Sequence, residues 1–336
     1  MAATRPLPIT VVGAGSWGTA LAIQLARGGL PTRLWARDAA QCAAMQLERC
    51  NTRYLPDAPF PPALHPVCDL GAALGHGGDV LVAVPSHAFR ATLNLAARFL
   101  APESRLAWAT KGFETASGLL PHQVAEQVLG VRAAAVLSGP TFAREVGAGL
   151  PTAMTVASRD AAFAQDLATR LSGPRFRAYT QSDLIGVEVG GAVKNVIAVG
   201  AGIADGMQFG ANTRVALITR GLAEMMRLGV KLGAARDTFM GLAGLGDLVL
   251  TCTDDQSRNR RLGLALGRGL DLAAAQAQIR QVVEGVFAAR AVCAVADRMA
   301  VEMPICREVF RIMHEAKPVR EAVMDLMTRN QRAETD

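Results

Sequence analysis

The hydrophobic and polar positions in the first half of the chain alternate between short apolar runs and longer stretches with helical spacing. Residues 8–12 predict a buried strand, and residues 19–27 carry small and apolar side chains at the spacing of one helix face. Further strand-like runs follow at residues 32–35, 80–84, 106–109, 134–137 and 153–156. Strands separated by helix-length segments predict an α/β fold, with a Rossmann-like, doubly wound and mainly parallel sheet.

The pattern changes after about residue 190. Long stretches rich in Ala, Leu, Met and Arg follow helical spacing, most clearly at residues 213–232, 260–268 and 284–298. We therefore predict two domains, a dinucleotide-binding domain at residues 1–189 and a helical substrate-binding domain at residues 190–336. No flexible linker is visible between them.

Composition narrows the class of protein. Of 336 residues, 51% are hydrophobic and 19% are charged, which argues against wholesale disorder. The most apolar stretch, residues 193–204, is interrupted by Lys194 and closed by Asp205, so we predict no membrane span. The first eight residues lack the apolar run of a secretory signal, and we expect a cytoplasmic protein.

Cysteine usage and charge narrow the range of ligands. The six cysteines form no CxxC pair and the five histidines have no ligand-like spacing, which predicts reduced thiols and no structural metal. The net charge of +6 comes from scattered arginines without interleaved aromatic residues, which favours small phosphorylated molecules over nucleic acid. The chain has only four lysines, so Lys111 and Lys194 suggest a need for a compact, titratable ammonium.

The first chemical motif is GAGSWG at residues 13–18, which lies between a predicted strand and a predicted helix. Gly13 permits the tight turn, Gly15 lets the backbone approach a pyrophosphate, and Gly18 allows close packing of helix and strand. The helix N-terminus attracts the anion. Together these features predict dinucleotide binding.

The residues after the second predicted strand bear on the choice of dinucleotide. Enzymes that prefer NAD usually carry an acidic residue there, whereas this chain has Ala36 followed by Arg37. A guanidinium favours the 2′-phosphate of NADP, so NADPH is the predicted cofactor and NADH remains possible. The alternatives are that Arg37 is an ordinary surface arginine and that Asp38 binds the ribose.

Polar residues follow three more predicted strands. Ser86, Lys111 and Thr141 each lie just beyond a strand, at the edge where doubly wound folds bind ligands. These side chains suit a nicotinamide and a phosphorylated substrate. For the two hydroxyls, ordinary turn or helix-capping chemistry is the alternative.

The segment GGAVKNVIA at residues 190–198 suggests acid–base chemistry. Small and apolar neighbours partly desolvate Lys194, which favours its neutral form and suits proton transfer. The paired glycines leave room for a ligand. Alternatively, Lys194 extends to solvent or pairs with a carboxylate such as Glu188 or Asp247.

Three later segments complete the candidate chemistry. Asp247, after a glycine-rich turn, is predicted either to orient the lysine or bind a hydroxyl, or to cap a helix. Ser257 is expected to cap a helix while Arg258 and Asn259 hold a phosphate, although such a run is also typical of a solvated charged face. Residues 282–285 either close a cofactor pocket or form a simple loop.

Taken together, these segments resemble the bacterial type of NAD(P)-dependent glycerol-3-phosphate dehydrogenase. The matching motifs occur in family order: GAGSWGTAL (13–21), AVPSH (83–87), ATKG (109–112), LSGPTFA (137–143), GGAVKN (190–195), GLGDL (244–248) and DQSRNR (255–260). Jointly they are very specific and extend over nearly the whole chain. The resemblance implies a Rossmann domain joined to a helical domain.

It also implies interconversion of dihydroxyacetone phosphate and sn-glycerol 3-phosphate for phospholipid synthesis, by a homodimer. The implied cofactor-binding residues are Ser16, Trp17, Arg37, Lys111, Ala143, Arg258, Val282 and Glu284. The implied substrate-binding residues are Lys111, Gly139, Thr141, Lys194, Asp247, Ser257, Arg258 and Asn259. Lys194 matches the family's proton acceptor, and we expect Lys111 and Asp247 to assist it.

Two other functions compete with this hypothesis. A related dehydrogenase could reduce another small keto compound, such as a keto acid, and would then bind a carboxylate at residues 257–259. A nicotinamide-sensing protein would bind the cofactor without catalysis. Pure sensing requires neither Lys111 nor Lys194, which argues against the second alternative.

Overall fold

The computed structural model describes residues 7–75, 77–279, 281–330 and 333. The first six residues, which belong to the segment predicted to lack a signal, lie outside this range. The chain forms two compact units. Unit one comprises the described residues up to Glu114 and Leu119–Glu188, and unit two comprises Thr115–Gly118 and the described residues from Val189 onward.

Unit one is built on an eight-stranded sheet. In chain order its strands are β1 (Ile9–Val12), β2 (Thr32–Trp35), β5 (Leu64–Val67), β6 (Asp79–Val82), β7 (Leu106–Trp108), β8 (Ala134–Ser138), β9 (Thr152–Ser158) and β10 (Phe176–Gln181), and a separate antiparallel hairpin pairs β3 (Cys50–Asn51) with β4 (Leu55–Pro59). The spatial order of the sheet is β10-β9-β8-β7-β6-β1-β2-β5. Every pairing is parallel except that of β8 with β9. The predicted Rossmann-like, doubly wound and mainly parallel sheet is confirmed.

Helices connect these strands along the chain, and their apolar faces pack on the sheet. They are α1 (Ser16–Arg27), α2 (Ala39–Glu48), α3 (Leu70–Leu74), α4 (Ser86–Ala96), α5 (Pro121–Leu129), α6 (Ala143–Ala148) and α7 (Ala161–Leu171). One core cluster joins Leu21 of α1 and Leu167 of α7 to Leu81 and Leu137 of the central strands. Burial of such side chains holds the sheet and helices together.

Two strands of the sheet are absent from the sequence prediction, and both are edge strands. β5 reads LHPV, with a proline that an edge position tolerates. β10 reads FRAYTQ and has only its first residue fully buried. Edge strands carry weaker apolar patterns because they have one neighbouring strand and more contact with solvent.

The prediction of six reduced thiols is wrong for one pair of cysteines. Cys42 in α2 and Cys68 after β5 form a disulfide, with Cα atoms 5.5 Å apart. The two residues are 26 positions apart in sequence and share no CxxC spacing. They meet because β5 pairs directly with β2, the strand that precedes α2. The remaining cysteines, Cys50, Cys252, Cys293 and Cys306, are free thiols.

The described residues of unit two form helices joined by turns and contain no strand, as the sequence predicts. Helix α8 (Leu184–Gly206) begins in unit one and continues into unit two, followed by α9 (Gly210–Lys231), α10 (Asp247–Thr253), α11 (Arg258–Gly267), α12 (Leu272–Ile279), α13 (Glu284–Arg298), α14 (Pro304–His314) and α15 (Val319–Met327). Between α9 and α10 lie a 3-10 turn, Arg236–Met240, and a π-helical turn, Leu242–Gly246.

Helix α8 is the one described helix that is long and apolar enough to cross a bilayer by length and composition. However, 94% of its most apolar window is buried inside the structure. Core helices of globular domains meet the same two criteria, so this helix is weak evidence for a membrane span.

Candidate functional site

The glycine turn of unit one has the shape that a pyrophosphate requires. Gly13 adopts φ +116°, and a Cβ atom there would lie 2.8 Å from the carbonyl oxygen of Ala83. A Cβ atom at Gly18 would lie 1.9 Å from the carbonyl oxygen of Gly13. At Gly15, in contrast, a Cβ atom would meet nothing within 4 Å, so the backbone is open to a ligand. The turn therefore fits the phosphates of a dinucleotide at the start of α1.

The two residues inside the motif have different environments. The Ser16 hydroxyl donates a hydrogen bond of 3.0 Å to the carbonyl oxygen of Tyr54. Trp17 packs against the core of unit one, and its indole N–H is buried with no hydrogen-bond partner among the described residues. A buried donor without a partner is uncommon in folded proteins. It identifies a polar group near the start of α1 that a bound molecule could satisfy.

Arg37 and Asp38 follow β2 at the surface. Arg37 is exposed, and the Asp38 carboxylate caps α2 by accepting hydrogen bonds from the backbone N–H groups of Ala40 at 2.9 Å and Gln41 at 3.2 Å. The hydrogen bond from Gln41 is the main cause of a lowered pKa of the Asp38 carboxyl. Asp38 also pairs with Arg53 across 3.2 Å. Asp38 therefore already has structural partners, and it remains ionised.

The ends of β6 and β7 lie side by side in the sheet. The Thr110 hydroxyl donates to the carbonyl oxygen of Val84 at 2.7 Å, which joins the segments after these strands. Gly112 adopts φ +110°, and a Cβ atom there would lie 3.3 Å from Ser86 Oγ. Lys111, between Thr110 and Gly112 in the sequence, is half-buried. The structure thus brings Ser86 close to the segment that carries Lys111.

The segment after β8 forms a tight turn. Gly139 adopts φ +143°, and a Cβ atom there would lie 3.0 Å from Met154 Cα. The Thr141 hydroxyl donates to the carbonyl oxygen of Gly139 at 3.2 Å, as the turn alternative predicts. Ala143 is the first residue of α6. The roles of Gly139, Thr141 and Ala143 in ligand binding stay predictions.

Unit two contains a buried lysine held by two acceptors. Lys194 Nζ donates to Asp247 Oδ1 at 2.7 Å and to Thr251 Oγ1 at 2.9 Å. The Thr251 hydroxyl in turn donates to the carbonyl oxygen of Asp247 at 2.6 Å. Lys194 and Asp247 are 7% and 1% exposed. The carboxylate balances the ammonium charge inside the unit, and the fixed nitrogen can exchange a proton with a bound oxygen.

Gly190, four residues before Lys194, packs closely against another backbone segment, a role that the sequence did not predict. A Cβ atom at Gly190 would lie 2.5 Å from the carbonyl oxygen of Ala243. The prediction that the paired glycines leave room for a ligand is therefore wrong at Gly190, because the backbone of the π-helical turn fills that space. Gly190 lies one helical turn before Lys194, so this close approach brings the lysine to Asp247.

A second polar cluster in unit two surrounds Asn259. Its amide donates to Asn195 Oδ1 at 2.8 Å, and its own oxygen accepts from the backbone N–H of Gly285 at 2.9 Å. Asn195 Nδ2 donates to Glu284 Oε2 at 3.2 Å. The hydrogen bonds connect α8, α11 and α13, so they fix the relative positions of Asn195, Asn259 and Glu284 within the unit.

Ser257 is the N-cap of α11, and Arg258 is the first residue of this helix. Ser257 Oγ accepts a hydrogen bond from the backbone N–H of Arg260 at 3.2 Å, which is the predicted capping contact. Arg258 Nη1 donates to the carbonyl oxygen of Val282 at 2.9 Å. The structure thus brings Arg258 into contact with residues 282–285, the segment predicted either to close a cofactor pocket or to form a simple loop. Their roles in binding cofactor and substrate stay predictions.

Two polar residues at these clusters were not predicted as site residues. Thr251 lies four positions after Asp247, a spacing that places both on one face of α10, but the sequence suggested a helix here only as the alternative in which Asp247 caps it. Asn195 lies next to Lys194 in the quoted motif, but its partners on α11 and α13 are distant in sequence.

Over residues 7–75, 77–279, 281–330 and 333, no group of three or more His, Cys, Asp or Glu side chains could hold a metal ion.

Comparison with known proteins relates the whole chain to one family. Residues 8–164 match the family described as NAD-dependent glycerol-3-phosphate dehydrogenase N-terminus, and residues 183–324 match its C-terminus. The glycerol-3-phosphate dehydrogenase (NAD(P)+) of Thioalkalivibrio sulfidiphilus is 56% identical over 97% of this chain and 98% of its own. That of Aeromonas hydrophila is 54% identical over 98% of this chain and 99% of its own.

A solved structure supports the same relationship. The crystal structure of glycerol-3-phosphate dehydrogenase from Coxiella burnetii matches with a TM-score of 0.94 and 48% sequence identity, covering 97% of this chain and 100% of that one. Similarity of sequence and fold extends through both units. The chain belongs to the NAD-dependent glycerol-3-phosphate dehydrogenase family.

Proposed function

We propose that this protein interconverts dihydroxyacetone phosphate and sn-glycerol 3-phosphate with a nicotinamide dinucleotide, and so supplies glycerol 3-phosphate for phospholipid synthesis. The observation that carries the proposal is the buried ammonium of Lys194, held by Asp247 and Thr251. It is supported by relatives more than 50% identical that are named for this activity.

Lys194 handles the proton of the reaction. A bound nicotinamide ring supplies or accepts the hydride at carbon 2 of the substrate. In the reducing direction the Lys194 ammonium donates a proton to the oxygen on that carbon, and in the oxidising direction the neutral amine accepts it. Asp247 and Thr251 hold the nitrogen in place, which limits the reorganisation needed during proton transfer. Lys111 positions the substrate or stabilises negative charge on its oxygen.

The phosphate of the substrate is bound by the start of α11. Arg258 offers a guanidinium, and Asn259 offers an amide in a fixed orientation. The backbone N–H groups at the N-terminus of this ten-residue helix favour an anion. Arg37 supports a preference for NADPH, because a guanidinium after the second strand suits a 2′-phosphate.

The test of the reaction is a spectrophotometric assay of the purified protein with dihydroxyacetone phosphate. It is run once with NADPH and once with NADH, and repeated with a 2-keto acid as substrate. We expect oxidation of the nicotinamide with dihydroxyacetone phosphate only, faster with NADPH. Oxidation with the keto acid alone would favour the related dehydrogenase, and cofactor binding without turnover would favour the sensing protein.

The role of Lys194 is tested by Lys194→Ala, with Lys231→Ala as the matched control in the same unit. Lys231 is an exposed lysine at the end of α9. We expect kcat to fall at least about 100-fold in Lys194→Ala, since general acid–base catalysis contributes roughly that much. The dissociation constant for NADPH, measured by fluorescence, should change little. Full activity in Lys194→Ala would remove the lysine from the mechanism.

The expected quaternary structure follows from the resemblance alone. A homodimer is expected, and sedimentation velocity of the full-length protein tests it. The expected cytoplasmic location stays a prediction, tested by cell fractionation followed by the same activity assay.

A further inference from the structure

The turn of the β3–β4 hairpin lies against the glycine turn. Asn51, which is 1% exposed, donates through Nδ2 to the carbonyl oxygen of Ala14 at 3.0 Å and to Thr19 Oγ1 at 2.8 Å. Ser16 Oγ donates to the carbonyl oxygen of Tyr54 at 3.0 Å. These contacts hold the hairpin turn beside the residues that would approach the dinucleotide pyrophosphate.

Arg53 extends from this turn to the start of α2. Its guanidinium lies 3.2 Å from Asp38 Oδ2 and 5.2 Å from the centre of the Tyr54 ring. Asp38 is itself fixed as the cap of α2, and Gln41 of that helix donates to the carbonyl oxygen of Ala14 at 2.8 Å. The position of Arg53 is therefore defined by a network that begins at the glycine turn.

The charges at this place form a set of three. Asp38 has Arg37 as its chain neighbour and Arg53 as its ion-pair partner, so two guanidiniums accompany one carboxylate. A guanidinium carries five N–H donors, and 60% of the Arg53 side chain is exposed, so a ligand can reach it. Doubly wound folds place the 2′ position of the adenosine ribose just after the second strand, where Arg37 and Asp38 lie.

We propose that Arg53 is a specificity-determining residue that recognises the 2′-phosphate of NADPH together with Arg37. It acts in two ways. Its charge offsets the Asp38 carboxylate, which would otherwise repel a phosphate, and its planar fork of N–H groups donates to the phosphate oxygens. The inference rests on the proposed binding of a nicotinamide dinucleotide, and it assigns the choice of dinucleotide to a residue 15 positions beyond Asp38.

The experiment measures binding of two cofactor fragments to the full-length protein by calorimetry. The fragments are 2′,5′-ADP, which carries the 2′-phosphate, and 5′-AMP, which lacks it. The variants are Arg53→Gln and Arg53→Lys. Arg144→Gln is the control, because Arg144 forms a comparable exposed pair with Asp57 of β4. The dissociation constants for NADPH and NADH are measured alongside.

Arg53→Gln should weaken binding of 2′,5′-ADP and NADPH roughly ten-fold and leave 5′-AMP and NADH within about two-fold, as expected for one charged hydrogen bond. Arg53→Lys should weaken binding of 2′,5′-ADP less than Arg53→Gln does, and Arg144→Gln should leave the dissociation constants of both fragments unchanged. Equal weakening of both fragments, or no weakening, would overturn the inference. Fragment binding needs no turnover, so a wild-type protein that fails to reduce dihydroxyacetone phosphate would refute the proposed reaction separately.

Discussion

The side chain of Lys194 has little freedom to move. Its nitrogen donates to a carboxylate on α10 and to a hydroxyl one turn further along the same helix. A lysine side chain carries much rotamer entropy, so two acceptors at fixed positions are needed to hold its nitrogen in one place. Thr251 therefore acts through Lys194, as a positioning residue.

Thr251→Val tests this role. The valine has almost the same shape but accepts no hydrogen bond, so the nitrogen keeps only Asp247 of the two acceptors. We expect kcat to fall about ten-fold, which corresponds to roughly 1.4 kcal/mol, with little change in the KM for NADPH. Steady-state kinetics provide the measurement. Thr251→Ser keeps the hydroxyl and should retain most of the activity; equal losses in both variants would instead indicate a packing defect.

Close contact between two elements brings the lysine to its partners. Helix α8 approaches the π-helical turn at Gly190, where a side chain would collide with the carbonyl of Ala243. π-helical turns are uncommon and are frequent at functional sites, and this one leads directly into the helix that carries Asp247. The backbone of the π-helical turn and its close approach to Gly190 thus determine where Lys194 and Asp247 meet.

Gly190→Ala should lower both stability and activity. The added methyl group forces α8 away from the turn, which we expect to cost about 1–3 kcal/mol and to lower kcat by displacing Lys194. Urea unfolding and steady-state kinetics measure the two effects. Gly200→Ala is the control on the same helix, because its Cβ atom would meet side chains and no backbone atom, at 3.2 Å from Val309 and 3.8 Å from Ile305. If both variants behave alike, close packing at Gly190 does not explain the position of the lysine.

The disulfide connects α2 to the end of an edge strand. It closes a loop with a sequence separation of 26 residues, and by loop-entropy reasoning such a cross-link stabilises the fold by about 3.5 kcal/mol. We expect dithiothreitol to lower the free energy of unfolding of the wild-type protein by about that amount. Cys42→Ser should be less stable without reductant and should no longer respond to it. A wild-type protein that unfolds identically with and without reductant would contradict the prediction.

Stability of the whole protein should depend on pH through a buried carboxyl group. Glu224 in α9 is 1% exposed and accepts hydrogen bonds from the backbone N–H groups of Ile305 at 2.6 Å and Cys306 at 3.1 Å. Burial raises the pKa of Glu224 from 4.5 to about 7, although these hydrogen bonds oppose the shift. The folded state therefore binds this proton more tightly than the unfolded state does.

The sign of the effect follows from this difference. The contribution of Glu224 to stability is fully present below pH 4.5 and is lost as pH rises through about 7, a change of about 3 kcal/mol. We expect the free energy of unfolding of Glu224→Gln minus that of wild type to increase by that amount between pH 4.5 and pH 8, because only the wild type loses stability as pH rises. Urea unfolding at both pH values measures it. Glu321→Gln, which removes an exposed carboxyl group, serves as control; a constant difference for Glu224→Gln would contradict the raised pKa.

Much of the architecture was predictable because its signals are local. Apolar periodicity identifies the central strands and the long helices, since each pattern reflects which side of one element is buried. The glycine turn was predictable for a similar reason: Gly13 adopts φ +116°, a conformation that other residues rarely adopt. The family motifs were equally visible in sequence, and the family comparisons confirm the fold and the class of enzyme.

The remaining features depend on which distant segments the strand order brings together. Pairing of β2 with β5 joins Cys42 to Cys68, and the hairpin brings Arg53 to Asp38. Thr251 meets Lys194 across 57 positions of sequence. None of these contacts leaves a periodic pattern or a characteristic spacing, because a hydrogen bond or a disulfide needs only two atoms to meet. Such contacts become visible when the folded chain establishes the neighbours of each residue.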